Sequence, residues 1–331
     1  MTLSILGGGS WGTALAIVLA QRFERVRLWV YEPDLAARMA VTRENNVFLP
    51  GLTIPANVEI VSDLQAVMDR ARIVLAVVPS HYCRALYQRM LPSVDAATIF
   101  VIAAKGLESG TLLRMSQVLS EVFRARFEPQ VAVLSGPTFA REVARGEPTA
   151  VVVASTERTT AATVQAAFSG PSFRLYTNAD LTGVEIGGAL KNVIAIAAGV
   201  VQGLGLGNNT QAALITRGLA EITRLAAAMG AQPATLAGLA GLGDLVLTCS
   251  GDLSRNRRVG VELARGRSLA DITASTPMIA EGVETCSAAV ALGAKHGVDL
   301  PIICQMEAVL HGGKTPHEAV RDLMERSLKG E

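Results

Sequence analysis

Short apolar runs alternate with longer segments of helical period through the first half of the chain. The runs Leu3–Leu6, Val26–Trp29, Val58–Val61, Ile73–Val78, Thr98–Ile102, Val131–Leu134, Ala150–Val153 and Phe173–Tyr176 are rich in β-branched residues and nearly continuous in apolar side chains. That is the pattern of strands buried on both faces. Between them, Thr13–Arg22, Leu35–Thr42, His81–Met90 and Leu112–Arg124 read as helices. Strand–helix alternation predicts an α/β fold with a mostly parallel sheet covered on both faces. After about Asn178 the strand pattern stops. The Ala-, Leu- and Gly-rich segments Leu181–Gln202, Thr210–Met229, Arg257–Arg265, Val283–His296 and Pro301–Leu310 predict helices. We therefore expect a doubly wound sheet domain over residues 1–178 and an all-α domain over residues 179–331.

The first predicted strand runs straight into Gly7-Gly8-Gly9-Ser10-Trp11-Gly12, which opens a helical segment. Gly7, Gly9 and Gly12 have the G-x-G-x-x-G spacing. The first glycine permits a tight turn, the second lets backbone approach a pyrophosphate, and the third lets helix and strand pack closely. Placed between a strand and a helix at the start of a βαβ unit, the motif predicts dinucleotide binding. Glu32 follows Gly12 by 20 residues, just past the second strand. A carboxylate there binds an adenosine ribose 2′-hydroxyl and disfavours a 2′-phosphate. Arg38 and Arg43 are close enough in sequence to receive a 2′-phosphate, so the cofactor stays open as NAD or NADP.

Lys191 is out of keeping with its surroundings. From Val184 to Ala198 the only other charge is Glu185. An unpaired ammonium is costly to bury, and one taken out of water gives up its proton more readily. The lysine is therefore either a proton donor and acceptor or a side chain that snorkels to water. Three strand ends supply further candidates: Val77-Val78-Pro79-Ser80, Ala103-Ala104-Lys105-Gly106 and Ser135-Gly136-Pro137-Thr138-Phe139-Ala140. In an open α/β sheet ligands approach that edge. Lys105 reads as a ligand for a phosphate or polar oxygen, or as a loop lysine. The Gly–Pro turn reads as an anion site or a plain helix cap. In the second half, Asp244 lies among glycines and leucines, and Ser254-Arg255-Asn256-Arg257-Arg258 is a dense set of phosphate donors or a solvated helix start.

Composition narrows the function classes. The chain has 331 residues, half of them hydrophobic and 18% charged, with net charge +1. Two domains with ample core are expected, and disorder is not. No global field draws nucleic acid or an anionic membrane, and the basic cluster lacks interleaved aromatics. Cys83, Cys249, Cys286 and Cys304 are scattered without ligand spacing, so we expect free thiols in a reducing cytoplasm, no disulfide frame and no metal site. We expect no signal peptide before the first strand. The apolar run near Val193–Val201 is too short for a membrane span.

Taken together, these motifs resemble the NAD(P)-dependent glycerol-3-phosphate dehydrogenases of bacterial type, over essentially the whole length. The resemblance rests on Gly7–Gly12, Ala104–Glu108, Ser135–Pro137, Gly188–Asn192 with Ala195–Gly199, Gly238–Cys249 and Ser254–Gly260. It implies a Rossmann-like domain followed by a helical domain of the 6-phosphogluconate-dehydrogenase-like type. It implies reduction of dihydroxyacetone phosphate to sn-glycerol 3-phosphate, which feeds glycerophospholipid synthesis. By position, Lys191 matches the family's proton donor and acceptor. Lys105, Gly136, Thr138, Asp244, Ser254, Arg255 and Asn256 match substrate positions. Ser10, Trp11, Lys105, Ala140, Arg255, Ile279 and Glu281 match cofactor positions. Departures are Tyr31-Glu32 where many members carry a basic residue, Ala104 where Thr is common and Thr138 where Ser is common. The expected partner is a phosphorylated triose, with a homodimer as the oligomer. The competing readings are a two-domain hydroxyacid or ketopantoate-type dehydrogenase and a non-catalytic dinucleotide sensor.

Overall fold

The computed structural model describes residues 2–276 and 280–328. The strands are β1 (Thr2–Leu6), β2 (Arg25–Trp29), β3 (Glu44–Asn45), β4 (Leu49–Thr53), β5 (Val58–Val61), β6 (Ile73–Ala76), β7 (Ile99–Ile102), β8 (Gln130–Ser135), β9 (Thr149–Ala154) and β10 (Phe173–Asn178). Among the described residues, eight of them form one sheet in the order β10-β9-β8-β7-β6-β1-β2-β5. All the predicted runs belong to it. Neighbours run parallel except β8 and β9, which are antiparallel, so the sheet is mixed. The small antiparallel pair β3–β4 was not predicted. The helix expected over Leu112–Arg124 begins only at Met115, because Leu112 has φ +61° and cannot continue a right-handed helix.

From β1 the chain winds outward to β2 and β5, then returns to β6 on the other side of β1. This reversal opens a crevice at the carboxyl ends of β1 and β6. Leu6 of β1 stands in register with both Trp29 of β2 and Ala76 of β6, so the loops after these strands leave the sheet at one level. Leu3, Ile5, Leu28, Leu75 and Val101 are buried in the sheet, and Leu15, Leu19, Val164 and Phe168 cover it from helices.

The chain divides into two compact units, Met1–Lys105 with Leu113–Glu185 and Gly106–Leu112 with Ile186–Glu331. The second is helical and holds most of Leu181–Gly203, at 23 residues the longest helix among the described residues. That helix is longer than the apolar run read from sequence. Its most apolar window has mean hydropathy 1.6 and is 94% buried, as befits a core helix. Around it lie the helices Asn208–Ala228, Asp244–Ser250, Arg255–Ala264, Glu281–His296, Pro301–His311 and Pro316–Met324. Glu221, 2% exposed, accepts from the first amides of Pro301–His311, Ile302 at 2.7 Å and Ile303 at 3.2 Å. Burial pushes its carboxyl up to about 7 against the opposing pull of those amides.

Candidate functional site

In the first unit the glycine-rich loop has the geometry of a dinucleotide cradle. Gly7 has φ +126°, a conformation that L side chains rarely adopt. A Cβ on Gly12 would collide with the Gly7 carbonyl, whereas one on Gly9 would meet nothing within 4 Å. The loop is therefore packed shut on its inner side and open at Gly9. The helix Ser10–Leu19 starts there with no side chain capping its first amides. Trp11 Nε1 is buried without a hydrogen-bond partner among the described residues. Open backbone amides, a helix N-terminus and an orphaned donor fit an anionic dinucleotide.

Lys105 follows β7 and Gly136 follows β8, so both reach the same sheet edge. Lys105 Nζ donates to the Gly136 carbonyl at 3.2 Å, and Thr138 Oγ1 donates to the same oxygen at 3.2 Å. Gly136, at φ +143°, has no room for a side chain: a Cβ would stand 3.0 Å from Val151 Cα. Ala140 begins the short helix Ala140–Ala144 just beyond. Glu32 is exposed immediately before the helix Pro33–Thr42. Arg43 is committed elsewhere, with its guanidinium on the carbonyls of Ile54, Pro55 and Val58.

In the second unit Lys191 is 6% exposed and Asp244 fully buried, and the two form an ion pair. Lys191 Nζ also donates to Thr248 Oγ1 at 2.8 Å. Local packing explains how the partners meet across 53 residues of sequence. Gly187 lies one helical turn before Lys191, and Ala240 lies four residues before Asp244. A Cβ on Gly187 would sit 2.8 Å from the Ala240 carbonyl. Glycine therefore lets the turn Leu239–Gly243 lie directly on the helix, which sets Asp244 beside Lys191 one turn further on. The neighbouring thiol of Cys249 is pushed up to about 12 by burial, which leaves it inert.

A second close crossing brings in Ser254–Asn256. A Cβ on Gly199 would strike the Arg257 carbonyl, and one on Gly260 would strike the Ile196 carbonyl. Two helices thus touch backbone to backbone, and the N-terminus of Arg255–Ala264 arrives next to Asn192. Asn256 Nδ2 donates to Asn192 Oδ1 at 3.0 Å, and its Oδ1 accepts from the Gly282 amide at 3.0 Å. Ser254 Oγ accepts from the Arg257 amide at 3.2 Å, which leaves its hydroxyl proton for a ligand. Arg255 is exposed, with no ion-pair partner among the described residues. Arg257 instead holds Asp252 at 2.9 Å and the Gly251 carbonyl, which removes it from the phosphate donors counted in the sequence. Glu281 begins the helix Glu281–His296, and Ile279 lies outside the described residues.

Sequence reasoning passed over Thr248, whose position four residues after Asp244 on a helix is the signal that finds it. It also passed over the buried network in which Glu185 accepts from the Ser116 amide at 2.8 Å, from Ser116 Oγ at 2.6 Å and from Arg114. That network lies in the first unit and gives Glu185 its countercharge.

Comparisons with known proteins agree with these features. The family model described as NAD-dependent glycerol-3-phosphate dehydrogenase N-terminus matches residues 2–161, and the C-terminus model matches residues 180–321. A glycerol-3-phosphate dehydrogenase (NAD(P)+) from Koribacter versatilis (strain Ellin345) is 56% identical over 326 residues, 98% of this chain and 97% of that protein. One from Geobacter sp. (strain M21) is 50% identical over 329 residues, 99% and 98% of the two chains. A crystal structure of glycerol-3-phosphate dehydrogenase from Coxiella burnetii has TM-score 0.93 at 41% identity, covering 98% of this chain and 99% of that one. A ketopantoate reductase from Ralstonia eutropha JMP134, at TM-score 0.62 and 16% identity over 97% of this chain and 100% of that one, shares the fold alone.

Proposed function

Since this chain belongs to the NAD-dependent glycerol-3-phosphate dehydrogenase family, we propose that Lys191 is the proton donor and acceptor in its interconversion of dihydroxyacetone phosphate and sn-glycerol 3-phosphate. The enzyme is an NAD(P)-dependent oxidoreductase. The observation that carries the proposal is a buried ammonium held on two sides by the Asp244 carboxylate and Thr248 Oγ1.

The nicotinamide, when bound, supplies or accepts the hydride at C2 of the triose. Gly7, Gly9, Ser10, Trp11 and Gly12 would hold the dinucleotide, with Glu32 on the adenosine ribose. Lys191 Nζ gives its proton to the developing C2 alkoxide in the reductive direction and takes it back in the oxidative one. General acid–base help of this kind contributes roughly 10²–10⁴-fold. Asp244 offsets the cost of burying the ammonium. The Thr248 lone pair fixes where its remaining protons point. Arg255, with the Ser254 hydroxyl, the free N–H of Asn256 and the first amides of the helix, takes the substrate phosphate. The binding energy of that remote group positions the carbonyl. Lys105, which donates to the Gly136 carbonyl, would contact a substrate or cofactor oxygen, and Thr138 stands beside it.

On the same reading the product feeds glycerophospholipid synthesis, and the enzyme works in the cytoplasm. That Cys83, Cys249, Cys286 and Cys304 form no disulfide with one another supports that location. The decisive experiment follows nicotinamide absorbance with dihydroxyacetone phosphate in wild type and Lys191→Ala. The wild type oxidises the reduced cofactor, and the folded variant loses turnover while still binding it. Near-normal turnover in Lys191→Ala overturns the assignment, and wild-type activity with a ketoacid alone returns the ketopantoate-type reading.

A further inference from the structure

Asn45 is fully buried on β3, outside every motif that marks the dinucleotide loop, and yet it is bonded to that loop. Its Nδ2 donates to the Gly8 carbonyl at 2.8 Å and to Thr13 Oγ1 at 2.8 Å, while its Oδ1 accepts from the Phe48 amide at 3.1 Å. Two partners fix the orientation of this amide independently. A backbone N–H can only donate, so the atom facing Phe48 is the oxygen. A carbonyl can only accept, so the atom facing Gly8 is the nitrogen.

The consequence passes through one peptide plane. In a trans peptide the carbonyl of one residue and the N–H of the next point in opposite directions. Pinning the Gly8 carbonyl inward on Asn45 therefore turns the Gly9 N–H outward. Gly9 is where the loop is open, with nothing within 4 Å of a Cβ position, and its N–H finds no acceptor among the described residues. The Thr13 bond fixes Asn45 to the helix Ser10–Leu19, so the same side chain ties the start of that helix to the loop.

We propose that Asn45 is a positioning residue for the cofactor's pyrophosphate, acting by holding the Gly8–Gly9 peptide so that the Gly9 N–H faces the anion. Asn45 itself touches no phosphate. The inference rests on the dehydrogenase reading given above, because it needs the dinucleotide to lie on this loop. Without Asn45 the peptide is free to rotate and present a carbonyl oxygen to the phosphates. Asn45→Asp is the more severe change, since it sets a carboxylate against the Gly8 carbonyl.

The test measures NADH binding by fluorescence in wild type, Asn45→Ala and Asn45→Asp, with melting curves for each. Asn45→Ala is expected to weaken NADH by at least about tenfold, the size of one hydrogen bond to a charged group. The loss should fall on KM for NAD and not on KM for glycerol 3-phosphate at saturating NAD. A merely structural role would raise both together. A folded Asn45→Ala that binds NADH as wild type does overturns the proposal. Should the variants fail to fold, the wild-type enzyme labelled with ¹⁵N-glycine decides the matter during titration with ADP. The Gly9 amide is expected to show a large downfield shift, and an unmoved Gly9 resonance overturns the inference. Failure of wild type to bind either NADH or NADPH would overturn the dehydrogenase reading instead.

Discussion

Thr248 gives its one hydroxyl proton to the backbone carbonyl of Asp244, at 2.6 Å, and thereby turns a lone pair toward Lys191. The hydroxyl is then an obligate acceptor for the ammonium. Thr248→Val keeps the shape and removes that acceptor. It is expected to lower kcat about 10- to 100-fold, the effect of losing one hydrogen bond to a charged group. Thr248→Ser should recover most of the loss. Steady-state kinetics of both variants checks this, and a fully active Thr248→Val argues that the carboxylate alone orients the lysine.

The ion pair itself is a stability liability when halved. Lys191 and Asp244 side chains are 7% and 0% exposed, so Asp244→Ala strands an ammonium in an apolar interior without this counter-ion. A cost of about 3–5 kcal/mol is expected for a buried pair broken on one side. Lys191→Met combined with Asp244→Leu should be inactive and yet more stable than Asp244→Ala. Urea unfolding of the two proteins measures the difference, and equal midpoints would contradict it.

Glu221 makes stability depend on pH in the opposite sense to an ordinary paired carboxylate. Burial raises its folded pKa to about 7 from an ordinary glutamate value of about 4.5, so between those values the folded state holds a proton that the unfolded state has released. This contribution is fully present below the lower value and is lost as pH rises through the upper one. Glu221→Gln removes the titration. The melting difference between wild type and variant should therefore move against wild type between about pH 4.5 and 7 and level off above that range. Parallel melting curves across this range would rule it out.

We expect cofactor choice to turn on Glu32. It stands alone after β2 now that Arg43 is bound to three carbonyls, leaving Arg38 as the other cation singled out there. We expect kcat/KM to favour NAD over NADP by about tenfold or more, as repulsion of a 2′-phosphate should produce. Glu32→Gln should narrow the ratio by relieving NADP while leaving NAD weaker. Preference of the wild type for NADP would show that Arg38 outweighs the carboxylate.

Much of this organisation was legible in the sequence because it is local. A run such as Ile73–Ala76 is wholly apolar and buried on both faces, so composition and length identify it as a strand. The same property hides its direction: nothing in Thr149–Ala154 says that it runs antiparallel to β8. The pair β3–β4 escaped because Glu44–Asn45 is too short to show a period and Leu49-Pro50-Gly51 reads as a turn. Lys191 announced itself by contrast with its neighbours. Asp244 stood out in the same way among glycines and leucines, but the packing that joins the two did not, since it depends on Gly187 admitting a carbonyl from another turn, and a glycine in a helix-like run carries no mark of what will lie on it. Arg257 shows the converse error, a cation read as a ligand donor that the fold spends on Asp252.

The backbone-to-backbone crossing at Gly199 and Gly260 gives these two positions a one-sided relation to mutation. Glycine has no smaller replacement, so every change at either site is an insertion of volume, and the wall it meets is a main-chain carbonyl that no rotamer can move aside. Elsewhere in the core a lost methyl can be compensated by a gained one nearby. Here there is nothing to trade, and a library of random variants selected for activity would leave both sites unvaried, however far the rest of the helix drifted.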